Sequence, residues 1–313
     1  MSAPLNAHLD AGHRYYGWNG ERFWSVTTLI DMGVPKYLVP WASKLVAETA
    51  HADVARHGKR ALRVWEQAGR AELARIQAEG GLVSFTPAKI AKLTPADFAL
   101  RWLKGTPDRV RDAAAARGSK VHEQSEEIVK ARADEAARLV IAGADHAAIL
   151  AGFDEVTRPY MASFLAWVRD FRPRFVATEA TVYNRTAGYA GTLDAIVRRC
   201  FDQELVIVDY KTGREIYPEV GLQLAAYARG EFMGLPDGSE RRLPEIGVGA
   251  VLHLTPTGYE FRRVRIDDLL YRIFLHACEV ARFRLEIAST VIGEPLLPDP
   301  ADAPAGSPEE IGA

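Results

Sequence analysis

The stretch GTLDAIVRRCFDQELVIVDYKTG, residues 191 to 213, decides how the rest of the chain is read. Two β-branched, apolar runs each carry one aspartate, Asp194 and Asp209, and Lys211 follows the second at a spacing of two. Side chains alternate between the faces of a strand, so Asp209 and Lys211 point the same way. Charges are seldom held against a core without a partner or a task. The runs flank turn residues at Cys200 to Gln203, which predicts an antiparallel hairpin. Directly opposed hairpin residues have numbers with a constant sum. Asp194 and Asp209 sum to 403, which centres the turn between Phe201 and Asp202. Their Cβ atoms would then lie roughly 5 Å apart. Upstream, Glu179 and Asp194 sum to 373 and centre a turn at Thr186-Ala187, so three acids converge on one patch of sheet. Hard carboxylate oxygens without thiolates suit Mg²⁺ or Mn²⁺. Lys211 could there hold an attacking water or stabilise charge developing on a phosphorane. The plain alternative is a salt bridge of Asp209 with Lys211 at a strand end, with Asp194 a turn-proximal acid.

Outward from this stretch the strand pattern continues. FVATEATVYN (175 to 184), GYAGTLDAIVRR (188 to 199) and ELVIVDYK (204 to 211) are strands, followed by a helix at about 217 to 232. IGVGAVLHL (246 to 254) and YEFRRVRI (259 to 266) form a hairpin through TPTG, and a helix closes the core. Upstream, residues 35 to 117 read as a series of helices, with Thr86-Pro87, Thr94-Pro95 and Thr106-Pro107 as cap and first-turn pairs. Gly118-Ser119 reads as a break before a long helix, and another helix spans about 154 to 171. Residues 1 to 34 suggest a small hairpin. The expected class is α/β, a mixed central sheet flanked by helices behind a helical N-terminal region. The expected divisions are 1–110, helical and roofing the site, 111–290, the core, and 291–313, a disordered proline-rich acidic tail.

Composition excludes more than it identifies. Lysine plus arginine number 39 against 41 acids, a formal charge of -2, so any polyanion-binding surface must be local. Two cysteines, Cys200 and Cys278, are too few for a disulfide scaffold or an iron–sulfur site. Gly58-Lys59 is followed by arginine, so there is no Walker A loop and no ATP chemistry. Lys211-Thr212-Gly213 matches one β-lactamase motif, but its S-x-x-K and S-D-N companions are missing. Histidines other than His122 lack metal-ligand spacing, and two basic runs, Arg56 to Arg63 and Arg262 to Arg265, could grip phosphates. With neither a signal-peptide pattern nor a membrane-spanning apolar run, the expected compartment is cytoplasmic and no membrane partner is expected.

Beyond the hairpin, His122 lies in a helix after Arg117-Gly118, and Gln223 and Tyr227 lie four apart in the helix after the D-x-K strand. The order Arg117-Gly118…His122, Glu179, Gly191…Asp194, Asp209-x-Lys211-Thr-Gly and Gln223…Tyr227 resembles the RecB-type branch of the PD-(D/E)XK nuclease superfamily. That branch includes CRISPR-adaptation and phage recombination exonucleases. The resemblance covers residues 117 to about 230, and SVTTLIDMGVP…PWASKLVAETA is a softer match to the lead-in of phage-type members. It implies a restriction-endonuclease-like core and a DNA exonuclease using one or two Mg or Mn ions. It implies His122, Asp194, Asp209 and the Tyr210 carbonyl as metal ligands, Lys211 as the catalytic lysine and Glu179 as an acidic neighbour. Arg117, Gln223 and Tyr227 would contact DNA or steady the site. The four cysteines of iron–sulfur members are missing, so no cluster is expected. DNA, as duplex ends or single strands, is the implied partner, with a single-strand annealing or single-strand-binding protein, in a bacterial or phage-infected cell. Recombination, repair or phage DNA processing would be the setting. A non-cutting nucleic-acid-binding subunit and a sequence-specific endonuclease are the alternatives.

Overall fold

The computed structural model describes residues 6–34, 38–79, 87–131, 146–198 and 204–296. Within them ten strands join one mixed sheet. A meander of β1 (Ala7–Asp10), β2 (His13–Trp18) and β3 (Glu21–Ser25) leads into α1 (Val26–Gly33). Helices α2 (Leu38–His57), α3 (Ala61–Ala78), α4 (Pro87–Ile90), α5 (Pro95–Lys104), α6 (Thr106–Ala131), α7 (His146–Ala151) and α8 (Arg158–Phe171) come next. The sheet's centre is β4 (Arg174–Asn184), β5 (Tyr189–Arg198) and β6 (Leu205–Lys211), followed by α9 (Val220–Ala228). Two short hairpins, β7 (Phe232–Gly234) with β8 (Glu240–Arg242) and β9 (Val248–Thr255) with β10 (Gly258–Val264), precede α10 (Asp268–Arg282). The α/β class with a mixed sheet flanked by helices is therefore the fold.

Register follows the arithmetic of the sequence. β4 pairs with β5 through Thr178–Ala195 and Ala180–Leu193, at the sum of 373. β5 pairs with β6 through Ala195–Val208, at the sum of 403; the turn itself, 199 to 203, lies outside the described residues. β6 runs parallel to β9, and β3 runs parallel to β5 at Trp24–Tyr189 and Ser25–Ala190. Since β4 lines one edge of β5 throughout, β3 and β6 share the other edge. Between them Gly191–Asp194 lie in a fork, without a ladder partner on that edge among the described residues.

Helices α1, α9 and α10 seal one core with Leu29, Tyr189, Leu224 and Phe274. α6 and α8 cover another with Val121, Phe164, Trp167, Val208 and Leu252. Each large side chain so enclosed contributes about 1.5–3 kcal/mol.

Three sequence expectations change. The segment read as a small hairpin is a three-stranded meander built into the main sheet, because Tyr16, Trp18 and Phe23 pack against Tyr183 and Phe232 of the core. Gly118 does not break the chain: α6 runs unbroken from Thr106 to Ala131, across the boundary expected at 110. The β7–β8 hairpin follows α9, in a stretch read partly as helix. Thr94 does cap α5, in a reciprocal bond with Asp97. Thr86, Cys200 and the tail from 297 lie outside the described residues.

Candidate active site

The fork frames the site. The β5–β6 ladder stops at Ala195–Val208, one step short of Asp194 and Asp209. At that step the Asp194 side chain takes over from the backbone: its Oδ2 accepts the Tyr210 N–H at 2.5 Å. His122 reaches the same place from α6. Its Nε2 lies 3.1 Å from the Tyr210 carbonyl oxygen, and its Nδ1 lies 3.3 Å from Asp194 Oδ1 and 3.8 Å from Glu179 Oε1. An Nε2–H donated to that carbonyl leaves Nδ1 as the nitrogen that faces the two acids; it carries a proton toward Asp194 in the metal-free chain and would offer its lone pair to a metal on losing it. One ligand atom from each of His122, Glu179 and Asp194 lies within 4.8 Å of the others, so this group can hold a metal ion.

Helix α6 is brought here by small and basic residues. A Cβ on Gly118 would sit 3.2 Å from Thr212 Oγ1, so glycine permits the close approach. Arg117 Nη2 donates to the Thr212 carbonyl at 3.4 Å, and its guanidinium lies 5.4 Å from the centre of the Tyr160 ring. Glu179 pays locally for its position. Its φ of 46° is left-handed, in the middle of β4. For a residue with a Cβ this costs about 1–2 kcal/mol, and such strain collects at functional sites.

Charge is crowded. Burial alone would lower the His122 imidazole, but Asp194, Glu179 and Asp209 outweigh it and hold it at about 9. Burial, then the charge of Asp194, pushes Glu179 up to about 8. Asp194 is also buried, yet His122 keeps its carboxyl below the ordinary range. Burial holds Asp209 above its ordinary value despite Lys211, whose Nζ is 2.7 Å from Asp209 Oδ2. Burial opposes the lysine's charge too, but Asp209 and Asp194 win and keep it protonated. Repelling carboxylates around an imidazole are what a divalent cation would relieve, and the oxygen-and-nitrogen donor set fits one.

The structure does not gather every expected ligand equally. Asp209 is engaged by Lys211 and the Tyr210 carbonyl by His122, beside the His122–Glu179–Asp194 group. Gln223 Nε2 donates to the Tyr227 hydroxyl at 3.3 Å. The Tyr227 ring lies over Gly191, where a Cβ would fall 2.6 Å from its Cε1. Tyr227 is only 3% exposed, which makes it a spacer between α9 and β5, while Gln223 keeps partial exposure.

Two residues escaped the sequence reading. Glu126, one turn beyond His122 on α6, adds its charge to Glu179 and pairs with Lys130; the His122-x-x-x-Glu126 spacing was the available signal. His253 stands beside Lys211 in the parallel β6–β9 register, and its Nε2 is 2.7 Å from the Gly213 carbonyl oxygen. Nothing local in sequence announces that, because β6 and β9 are far apart in the chain.

The mixed sheet thus gathers two carboxylates and a histidine, a group that could hold a metal ion, beside an Asp–Lys pair. Residues 83–230, just under half of the chain, match the family model of the PD-(D/E)XK nuclease superfamily. The superfamily implies a metal-dependent nuclease, hence a hydrolase. Among solved structures, a similar chain is that titled "Crystal structure of SSO0001", at 16% identity and a TM-score of 0.26, over 55% of this chain and 80% of that one. No curated protein matches.

Proposed function

We propose that this protein is a metal-dependent DNA exonuclease of the RecB type that hydrolyses phosphodiester bonds from DNA ends. The observation that supports it most is the convergence of His122, Glu179 and Asp194 in the fork, with the Asp209–Lys211 pair alongside. His122, Glu179 and Asp194 would hold a Mg or Mn ion, with Asp209 and the Tyr210 carbonyl next to them. Such an ion, when bound, lowers the pKa of a bound water and offsets charge on the scissile phosphate. Asp209 fixes the Lys211 ammonium, and that fixed charge is suited to orienting water and stabilising negative charge as it develops. The Tyr210 carbonyl holds the imidazole, and Asp194 ties β5 to β6 through the Tyr210 amide.

A role in recombination, repair or phage DNA processing, a cytoplasmic setting and a single-strand annealing or single-strand-binding partner rest on the motif order alone. Among the described residues no helix is long and apolar enough to cross a membrane. The test is digestion of end-labelled linear and closed circular DNA with Mg²⁺, with Mn²⁺ and with chelator. The expected result is progressive shortening from the ends, intact circles and no cleavage in chelator. Discrete fragments from circles would favour an endonuclease, and binding without cleavage in either metal a non-cutting subunit.

A further inference from the structure

The sequence carries two basic runs, and the structure separates them. On the β10 side, Arg262 is paired with Glu260 at 2.7 Å and Arg265 with Asp267 at 2.6 Å, which leaves Arg263 as the one cation of that run without an acidic partner among the described residues. The helical region shows the same habit: Lys44 pairs with Glu48, Arg70 with Glu66, Arg75 with Glu79 and Arg109 with Glu72. The corner between α2 and α3 is different. Arg56, Lys59, Arg60 and Arg63 are all exposed, and none has an acidic partner among the described residues. Residues 54 to 65, VARHGKRALRVW, contain no Asp or Glu at all.

Folding does not ask for this arrangement. Arg56 at the end of α2 suits the negative end of a helix dipole. Arg60 and Arg63, at the start of α3, face the positive end, where acids would stabilise, and that first turn has none. The corner is also fixed in shape. Gly58, at a φ of 54°, makes the bend, and Trp65 Nε1 donates to Asp53 Oδ2 at 2.8 Å across it. Four exposed cations without acidic partners among the described residues, two of them at the positive end of a helix, signal a task outside folding.

We infer that the α2–α3 corner is a docking site for the phosphodiester backbone of DNA, separate from the metal centre. The inference rests on the nuclease reading, which supplies a polyanionic substrate. Contacts of this kind go to phosphates rather than base edges, so they lend affinity and salt sensitivity without sequence preference.

The experiment compares duplex DNA binding by the full chain in an Asp194→Asn background with and without Arg60→Glu/Arg63→Glu. A second set, Arg56→Gln/Lys59→Gln/Arg60→Gln/Arg63→Gln, removes charge without reversing it. Affinity is measured across a salt series, with melting temperature and Mn²⁺ binding of each variant. We expect at least a tenfold loss of affinity at low salt in both sets. The slope of log affinity against log salt should fall by about 3.6 in the four-residue set, at roughly 0.9 per lost phosphate contact. The melting temperature of the Glu pair should hold or rise, because acids now sit at the start of α3. Unchanged affinity and slope would overturn the inference, as would binding lost together with a lowered melting temperature, since the cations would then serve the fold. Cleavage of linear DNA by the parental chain in Mn²⁺ is scored separately. Its absence sinks the nuclease reading, whereas cleavage with an unchanged slope sinks only the docking site.

Discussion

Gly191→Ala tests how α9 and the fork depend on each other. The new Cβ would lie 2.6 Å from Tyr227 Cε1 and 3.1 Å from its hydroxyl oxygen. Ordinary carbon contacts sit at about 3.5–4.0 Å, so the ring must retreat by about 1 Å. It has little room to do so, being 3% exposed and bonded to Gln223. Overpacking of this kind costs about 1–3 kcal/mol. Replacing glycine restores up to about 1 kcal/mol by restricting the unfolded chain. The net expectation is a loss of about 1–2 kcal/mol, or a melting temperature lower by about 2–4 °C. Asp194 lies three residues along the same strand, so cleavage should fall by more than the melt alone suggests. The assay is a double-mutant cycle with Tyr227→Ala, read by thermal unfolding and by cleavage rate. With the ring gone the clash vanishes, so Gly191→Ala should become nearly neutral, a coupling of about 1 kcal/mol or more. Equal costs in both backgrounds would refute the packing argument.

Lys211→Ala should leave Mn²⁺ binding nearly intact and reduce the cleavage rate by 100-fold or more, since it removes a charge that acts on the transition state (on the order of 3 kcal/mol); cleavage at the parental rate would remove the lysine from the mechanism. Glu179→Gly relieves the left-handed strain and one repelling carboxylate. Thermal melts in chelator should show stability held or raised by about 1 kcal/mol, while Mn²⁺ titration shows weaker binding. Stability without metal should fall as pH rises. Glu179 is raised from 4.5 to about 8 and His122 from 6.5 to about 9, so the folded state binds extra protons that it loses through those ranges. Both contributions fade between about 6.5 and 8, where melts in chelator should fall most, and Mn²⁺ should restore more stability at the upper end because binding displaces protons. A flat chelated profile there would contradict the charge crowding.

The centre of the fold and the acidic cluster were legible because local pattern and chemistry agree there. Alternation and turn residues placed β4, β5 and β6, and the constant-sum test put Glu179, Asp194 and Asp209 across from one another on these three neighbouring strands, at the sums that the ladders keep. The sums could not show that Asp194 turns to the Tyr210 amide, or that Glu179 adopts a left-handed backbone, since both are decided by tertiary contact. Gly118 was misread for the same reason. Local propensity makes a mid-helix glycine an interruption, but its distant neighbour Thr212 makes it a point of close approach. The β1–β3 meander was hidden because its buried face, Tyr16, Trp18 and Phe23, is completed by Tyr183 and Phe232, more than a hundred residues on.

One metal-loaded site, built on Asp194 and its neighbours, is proposed to cut DNA. It is tested most directly by Mn²⁺ titration and DNA cleavage measured side by side on the parental chain and Asp194→Asn. The parental chain should bind Mn²⁺ and cut only when loaded, while Asp194→Asn should bind the ion more weakly and not cut. Undiminished cleavage in excess chelator, or an Asn variant that cuts at the parental rate, would contradict it.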